Sequence, residues 1–391
     1  MNVRSLIALA VRAPPTRPVA SRAMSWGHVT LVAVLDLIGG NTGDLEGQDR
    51  GQSPVLLAIF GAGASYDSSP THRPGSKNND RPPLADELFE ERPRFSNNLR
   101  RFPECLGLIP NLRHRHPSSI TVEQELDRLL QEAEYYPARR AQLMAIRYYL
   151  HLTLYECINY WVNVHGGVEN YAALLDHIEQ WRGRRHGRVV LVTFNYDTMI
   201  ENALLGREVI IRDIDGYVTD DRYKLVKVHG SVNWARDVTA PSGLAHNPGA
   251  LIQAASDLRF CQWWITSEFP VSYVQTPTGT HVPAVPAIAL PLQMKTEFEC
   301  PPPHLDVLKQ HLPEVTKCLV IGWRGNEPHF TSVLREGLKR PIKWMVAAGE
   351  THGTEVTQNL QKERLTGEFT DSNLAFSDFI IQRKAYEFLS D

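Results

Sequence analysis

From Val55 onward the chain alternates between short, unbroken apolar runs and longer stretches whose apolar residues recur at helical spacing. Val55-Leu56-Leu57-Ala58-Ile59-Phe60 is the first such run, and it breaks into Gly61-Ala62-Gly63-Ala64-Ser65. A run that is apolar at every position and closed by glycine predicts a strand buried on both faces. Arg188-Val189-Val190-Leu191-Val192-Thr193-Phe194 repeats the pattern and ends in Asn195-Tyr196-Asp197, while Leu225-Val226-Lys227-Val228 leads into His229-Gly230-Ser231. Residues 284–292, 318–321 and 343–347 are further runs, the last two ending at Gly322 and at Ala348-Gly349-Glu350. Residues 121–136, 138–164 and 171–181 read as helices between the first two strands, and 198–205 as a short helix closed by Gly206. The aromatic residues Tyr135, Tyr148, Tyr149, Tyr155, Tyr160 and Trp161 read as core packing.

Apolar strands alternating with helices predict an α/β fold: a Rossmann-like parallel sheet with helices on both faces. An inserted all-helical subdomain is expected at about residues 84–186. Ligands of such sheets bind beyond the carboxyl ends of the strands, where the small and polar clusters fall. Residues 67–83, dense in Ser, Pro, Gly, Asn and Arg, predict a long loop, mobile alone and closing over a ligand.

The length of 391 residues favours two packed units, and composition sets residues 1–50 apart as an N-terminal extension from residues 51–391. In the extension, Arg4, Arg12, Arg17 and Arg22 precede the first acid, Asp36, with Pro14, Pro15 and Pro18 among them. A targeting segment reads this way, and so does an upstream extension before a start at Met24. A formal charge of −3 gives no reason to expect a general nucleic-acid binder. No apolar run approaches the ~18 residues of a membrane span. The five cysteines include no CxxC pair, which argues against a paired-cysteine zinc site and a disulfide framework, and points to a reducing cytoplasm. If a metal were present, His281, Cys300 and His304 would be the ligands to consider.

Each strand-end cluster has a plain reading and a chemical one. Gly61-Ala62-Gly63 suits close approach of a pyrophosphate, yet Tyr66 stands where a full GxGxxG has its third glycine, and a structural turn reads equally well. Asp197 serves either as a cap for the following helix or, with Asn195, as a partner for ribose hydroxyls. His229 is either a packed structural histidine or a proton-transfer group. Their common position and their order favour chemistry.

That ordered set resembles the Sir2 family over residues 54–380. Gly61-Ala62-Gly63-Ala64-Ser65 matches its glycine loop, Thr193-Phe194-Asn195-Tyr196-Asp197 its Asn-x-Asp element, and Val228-His229-Gly230-Ser231 its catalytic histidine. Val320-Ile321-Gly322-Trp323-Arg324 looks like the late nucleotide-side strand. The chain departs from the pattern in lacking the zinc ribbon, in Phe194 for the usual Gln, in Trp323-Arg324 after Gly322, and in Arg73 as the nearest counterpart of the family's Phe-Arg. The helical insertion resembles Sir2-like proteins of bacterial anti-phage systems, which deplete NAD.

The resemblance implies an NAD hydrolase that releases nicotinamide and ADP-ribose, with NAD as substrate and no metal. Ala62, Gly63 and Ala64, with Gly61 and Gly322, would hold the nucleotide. Ser65, Asn195 and Asp197 would bind at the nicotinamide ribose, and His229 would move a proton. A homo-oligomer or a defence-system partner would gate it, through residues 67–83 or 234–280. A metal-free NAD-dependent protein deacylase and a non-catalytic NAD or ADP-ribose sensor remain open alternatives.

Overall fold

The computed structural model describes residues 53–74, 80–113, 120–292 and 298–391. The expected extension and residues 75–79 of the expected loop lie outside the described residues.

The first strand, β1 (Val55–Phe60), has all six side chains buried. Successive side chains of a strand point to opposite faces, so this strand is covered on both. It is central in a parallel sheet with β2 (Arg188–Thr193), β3 (Tyr223–Lys227), β8 (Val315–Ile321), β9 (Ile342–Ala347) and β10 (Gly367–Asp371). The order β10-β9-β8-β1-β2-β3 is that of a Rossmann sheet. The chain steps outward from β1 through β2 to β3, then returns to the other side of β1 with β8. The topological switch point therefore falls between the carboxyl ends of β1 and β8.

The intervening strands β4 (Gly230–Thr239), β5 (Arg259–Ile265), β6 (Tyr273–Gln275) and β7 (His281–Ile288) form a second, antiparallel sheet of order β5-β4-β7-β6. Residues 284–292, expected in the parallel sheet, belong partly to β7, which pairs antiparallel with β4 and β6. An apolar run marks burial but not the neighbour it pairs with. Residues 234–280 thus carry the end of β4 together with β5 and β6, joined by loops and a short helix, with Trp263 stacked under Arg236 at 4.0 Å.

Helices flank the parallel sheet in two groups. The short α1 (Ala62–Tyr66) follows β1 directly. Between it and β2 lie α2 (Pro93–Leu99), α3 (Ile109–Arg113), α4 (Val122–Glu132), α5 (Pro137–His165) and α6 (Glu169–Arg185). Thr121 starts α4 with a capping box to Gln124, and Gly166, in the left-handed conformation, ends α5. The 29-residue α5 packs on α2, α4, β4 and β7. By contrast, α6 packs with α7 (Met199–Leu205) and, further along the chain, α13 (Phe376–Ile381) and α14 (Lys384–Ser390). The other group comprises α8 (Gly216–Thr219) and α10 (Pro302–His311) on β3, α11 (Pro328–Gly337) beside α10, and α12 (Gly353–Lys362) on β9 and β10. The remaining helix, α9 (Pro248–Gln253), lies against α5.

Tyr148, Tyr149 and Trp161 are core residues as expected, whereas Tyr135 and Tyr160 are exposed. Among the described residues no helix is long and apolar enough to cross a membrane.

The flanks of the expected loop are more tightly held than their composition suggested. The Asp67 carboxylate accepts hydrogen bonds from the Ser377 amide (2.7 Å) and hydroxyl (2.6 Å). Ser68 accepts from the Trp161 indole at 2.9 Å, and Ser69 donates to the His165 carbonyl at 2.6 Å. Arg81, buried between the rings of Tyr66 and Trp161, donates to the carbonyls of Tyr66, His72 and Arg73. Polar residues order a segment when they are buried and paired, which composition alone does not reveal. Burial raises the Asp67 carboxyl above its ordinary range, and the Ser377 hydrogen bonds oppose the shift.

Candidate functional site

The central strand ends are laterally joined one residue beyond the strands themselves. Gly61 donates to the Ile321 carbonyl (3.0 Å), Phe194 to Phe60 (2.9 Å), Val228 to Thr193 (3.1 Å) and Gly322 to Ala347 (2.9 Å). The residues that follow these ends therefore emerge side by side.

Ser65, on α1, and Asn195 and Asp197, after β2, form one buried cluster. The Asn195 Nδ2 donates to the Gly61 carbonyl at 2.9 Å and to Ser65 Oγ at 2.8 Å. Ser65 Oγ donates to Asp197 Oδ2, and Asp197 Oδ1 accepts from the Met199 amide at 2.9 Å. Asp197 thus supports the start of α7, one residue before its N-cap Thr198, and contacts Ser65 at once. The Asn195 amide is itself fixed by Thr193 Oγ1 at 3.0 Å.

Two features of the cluster were missed in the sequence. Tyr171 reaches it from α6, its hydroxyl 3.0 Å from Ser65 Oγ and 3.4 Å from Asn195 Nδ2. Burial, and then the charge of Asp197, raise this phenol well above its ordinary range, so it stays protonated. Lys227, wholly buried on β3, donates to the Asp197 carbonyl and pairs with Glu201 at 2.8 Å. Tyr217 also donates to Glu201, at 3.1 Å. A buried lysine within an apolar strand was the available signal, since such a charge requires a partner.

His229 lies in the two-residue connection between β3 and β4, rather than on a strand. Its buried ring meets Phe194 edge to face at 5.0 Å and lies 6.3 Å from the ring of Tyr196. Its carbonyl accepts from Ala289, whose own carbonyl accepts from the Tyr196 hydroxyl, both at 2.9 Å. Phe194 also stacks on Trp323 at 5.0 Å with planes 10° apart, and Trp323 donates to Glu327 at 2.6 Å. An aromatic wall therefore joins the end of β2 to that of β8.

Across the switch point the two glycine turns touch. Gly63 donates to the Gly322 carbonyl at 3.1 Å and Ala64 to Gly61 at 2.9 Å. A methyl on Gly61 would stand 2.6 Å from the Gly322 carbonyl oxygen, closer than any ordinary contact. The glycines thus allow turn-to-turn contact, while Ala62 between them remains exposed. Arg73 pairs with Asp378 at 2.8 Å; Arg81, eight positions later, is the arginine buried behind α1.

Among the described residues no group of three or more His, Cys, Asp or Glu is arranged to hold a metal. His304 donates from Nε2 to the Ile214 carbonyl at 2.7 Å, Cys300 is buried, and His281 stacks on Tyr273.

No family model matches the chain, and no curated protein matches it. Among solved structures it is similar to a mutant Sir2 homologue in complex with 2'-O-acetyl ADP ribose, at 13% identity over 86% of this chain and 94% of that one, with a TM-score of 0.41. It is also similar to a Sir2 homologue mutant in complex with ADP ribose, at 14% identity over 79% of this chain and 92% of that one, with a TM-score of 0.34.

Proposed function

We propose that the chain is a Sir2-like NAD hydrolase. It breaks the bond between nicotinamide and ribose, water adds to the ribose carbon, and nicotinamide, ADP-ribose and a proton leave. The observation that carries this reading is the hydrogen-bonded cluster of Ser65, Asn195 and Asp197 beside a Rossmann switch point. Cleavage passes through an oxocarbenium-like cation, and a preorganised carboxylate such as Asp197 favours developing positive charge. Asn195 orients the ribose and the attacking water, and His229 takes or relays a proton. The turns at Ala62, Gly63, Ala64 and Gly322 hold the pyrophosphate. Because the amides of Gly63, Ala64 and Gly322 already donate to the carbonyls of Gly322, Gly61 and Ala347, any of them that contacts phosphate exchanges its present bond for the new one.

NAD depletion in bacterial anti-phage defence, gated by self-association or a partner protein in the cytoplasm, is the wider role proposed. It rests on the motif resemblance.

Asn195→Ala and His229→Ala test the chemistry. Each should lower nicotinamide release by about two to four orders of magnitude. Asn195→Ala also leaves Gly61 and Ser65 short of a donor, costing about 1–3 kcal/mol of stability. Turnover and thermal unfolding are therefore measured on the same preparations. Wild-type turnover per folded molecule in either variant removes that residue from the mechanism.

A further inference from the structure

Donor and acceptor capacity constrains the protons of the buried cluster; Asn195 Nδ2 also lies 3.4 Å from the Tyr171 hydroxyl, a longer contact than its other two. Ser65 Oγ has one proton and two lone pairs, and three neighbours: Asn195 Nδ2 at 2.8 Å, Tyr171 OH at 3.0 Å and Asp197 Oδ2. An amide nitrogen can only donate and a carboxylate can only accept. The Ser65 proton therefore goes to Asp197, one lone pair takes the Asn195 N–H, and the other must take a proton from Tyr171. The second Asn195 N–H goes to the Gly61 carbonyl at 2.9 Å. Both amide protons are then engaged within the protein, and Oδ1 is what remains for a ligand.

We propose that Tyr171 is a positioning residue: by donating to Ser65 it locks the Asn195 carboxamide so that the site offers its ligand an acceptor, Oδ1, and hence selects an O–H donor. This deepens the hydrolase reading and rests on it. The O–H belongs either to the attacking water or to a ribose hydroxyl. The phenol is suited to a fixed donor role, since its ring is held between Phe60 and Phe376, at 5.5 and 5.3 Å.

The test compares wild type, Tyr171→Phe, Ser65→Ala and the double variant in NAD turnover, with thermal unfolding alongside. Tyr171→Phe keeps the ring and removes the proton. A loose Asn195 should cost about 10- to 100-fold in kcat/KM, the scale of small misplacements at a reacting centre. A fall in kcat alone identifies water as the oriented group, and an accompanying rise in KM identifies a ribose hydroxyl. Because Tyr171 acts through Ser65, the double variant should be no worse than the more damaged single variant, within about twofold. Multiplying losses overturn the proposal, as does wild-type kcat/KM in Tyr171→Phe. If Tyr171→Phe does not fold, Ser65→Ala decides: the same loss is expected, and wild-type kcat/KM overturns the link. A wild-type protein that releases no nicotinamide fails the hydrolase reading and takes this proposal with it. An active wild type with an unaffected Tyr171→Phe removes the proposal alone.

Discussion

Gly322 joins the two halves of the parallel sheet, and replacing it with alanine tests whether the turns after β1 and β8 depend on touching. Gly322 has φ +61°, and a Cβ there would lie 2.1 Å from the Ala64 nitrogen and 2.5 Å from the Gly63 carbonyl carbon. Two costs add. A left-handed conformation costs an L-residue about 1–2 kcal/mol. Forcing a methyl against backbone that cannot rotate aside costs about 1–3 kcal/mol more. Gly322→Ala should therefore destabilise the protein by about 2–5 kcal/mol. At roughly 2 °C per kcal/mol for a domain of this size, that lowers Tm by about 4–10 °C. Gly243→Ala and Gly279→Ala separate the two costs, because both glycines have positive φ (+80° and +82°) but nothing within 4 Å of the added methyl. Those controls should lose about 1–2 kcal/mol from backbone strain alone. The assay is thermal and urea unfolding of all three variants. If Gly322→Ala is no less stable than Gly243→Ala, the claimed contact across the switch point is wrong.

Lys227→Met should cost about 3–5 kcal/mol, because it leaves the largely buried Glu201 carboxylate without its cation and with only the Tyr217 hydrogen bond, and adding Glu201→Leu should recover much of the loss; a single variant within about 1 kcal/mol of wild type in urea unfolding contradicts the pairing. Burial pushes the His151 imidazole down from its ordinary 6.5 to about 3. Between those values the unfolded chain holds a proton that the folded chain does not, so this stability is intact above pH 6.5 and is lost as pH falls. The slope is up to about 1.4 kcal/mol per pH unit. From pH 7 to pH 5 the wild type should therefore lose about 2 kcal/mol more than His151→Leu, and parallel stability curves would exclude the effect.

The parallel sheet was legible where burial on both faces leaves an unbroken apolar run, as in β1, β2, β8 and β9. At the sheet edge β10, with the sequence Gly-Glu-Phe-Thr-Asp, is half exposed and carries no such run. The antiparallel sheet was not anticipated. Its strands mix buried and exposed positions, and β7 contains Pro283 and Pro286, which interrupt a strand pattern. Within the site, Ser65, Asn195, Asp197 and His229 could be named because each belongs to a short motif at a strand end. Tyr171 could not: it is 106 positions from Ser65, and helical spacing marks it only as core. Its hydroxyl matters through tertiary contact, which periodicity does not encode. The burial of Arg81 and the exposure of Arg73 were likewise not legible, since proximity in sequence says nothing about which guanidinium is buried.

The central claim is most directly tested by incubating purified protein with NAD, with and without an acylated peptide, and following nicotinamide and ADP-ribose. The account predicts nicotinamide and free ADP-ribose in equal amounts without peptide, at a rate the peptide does not raise. Nicotinamide release that requires the peptide, with acyl transfer to ADP-ribose, would make the chain a deacylase. Tight binding of NAD or ADP-ribose without any nicotinamide release would contradict catalysis and leave a nucleotide sensor.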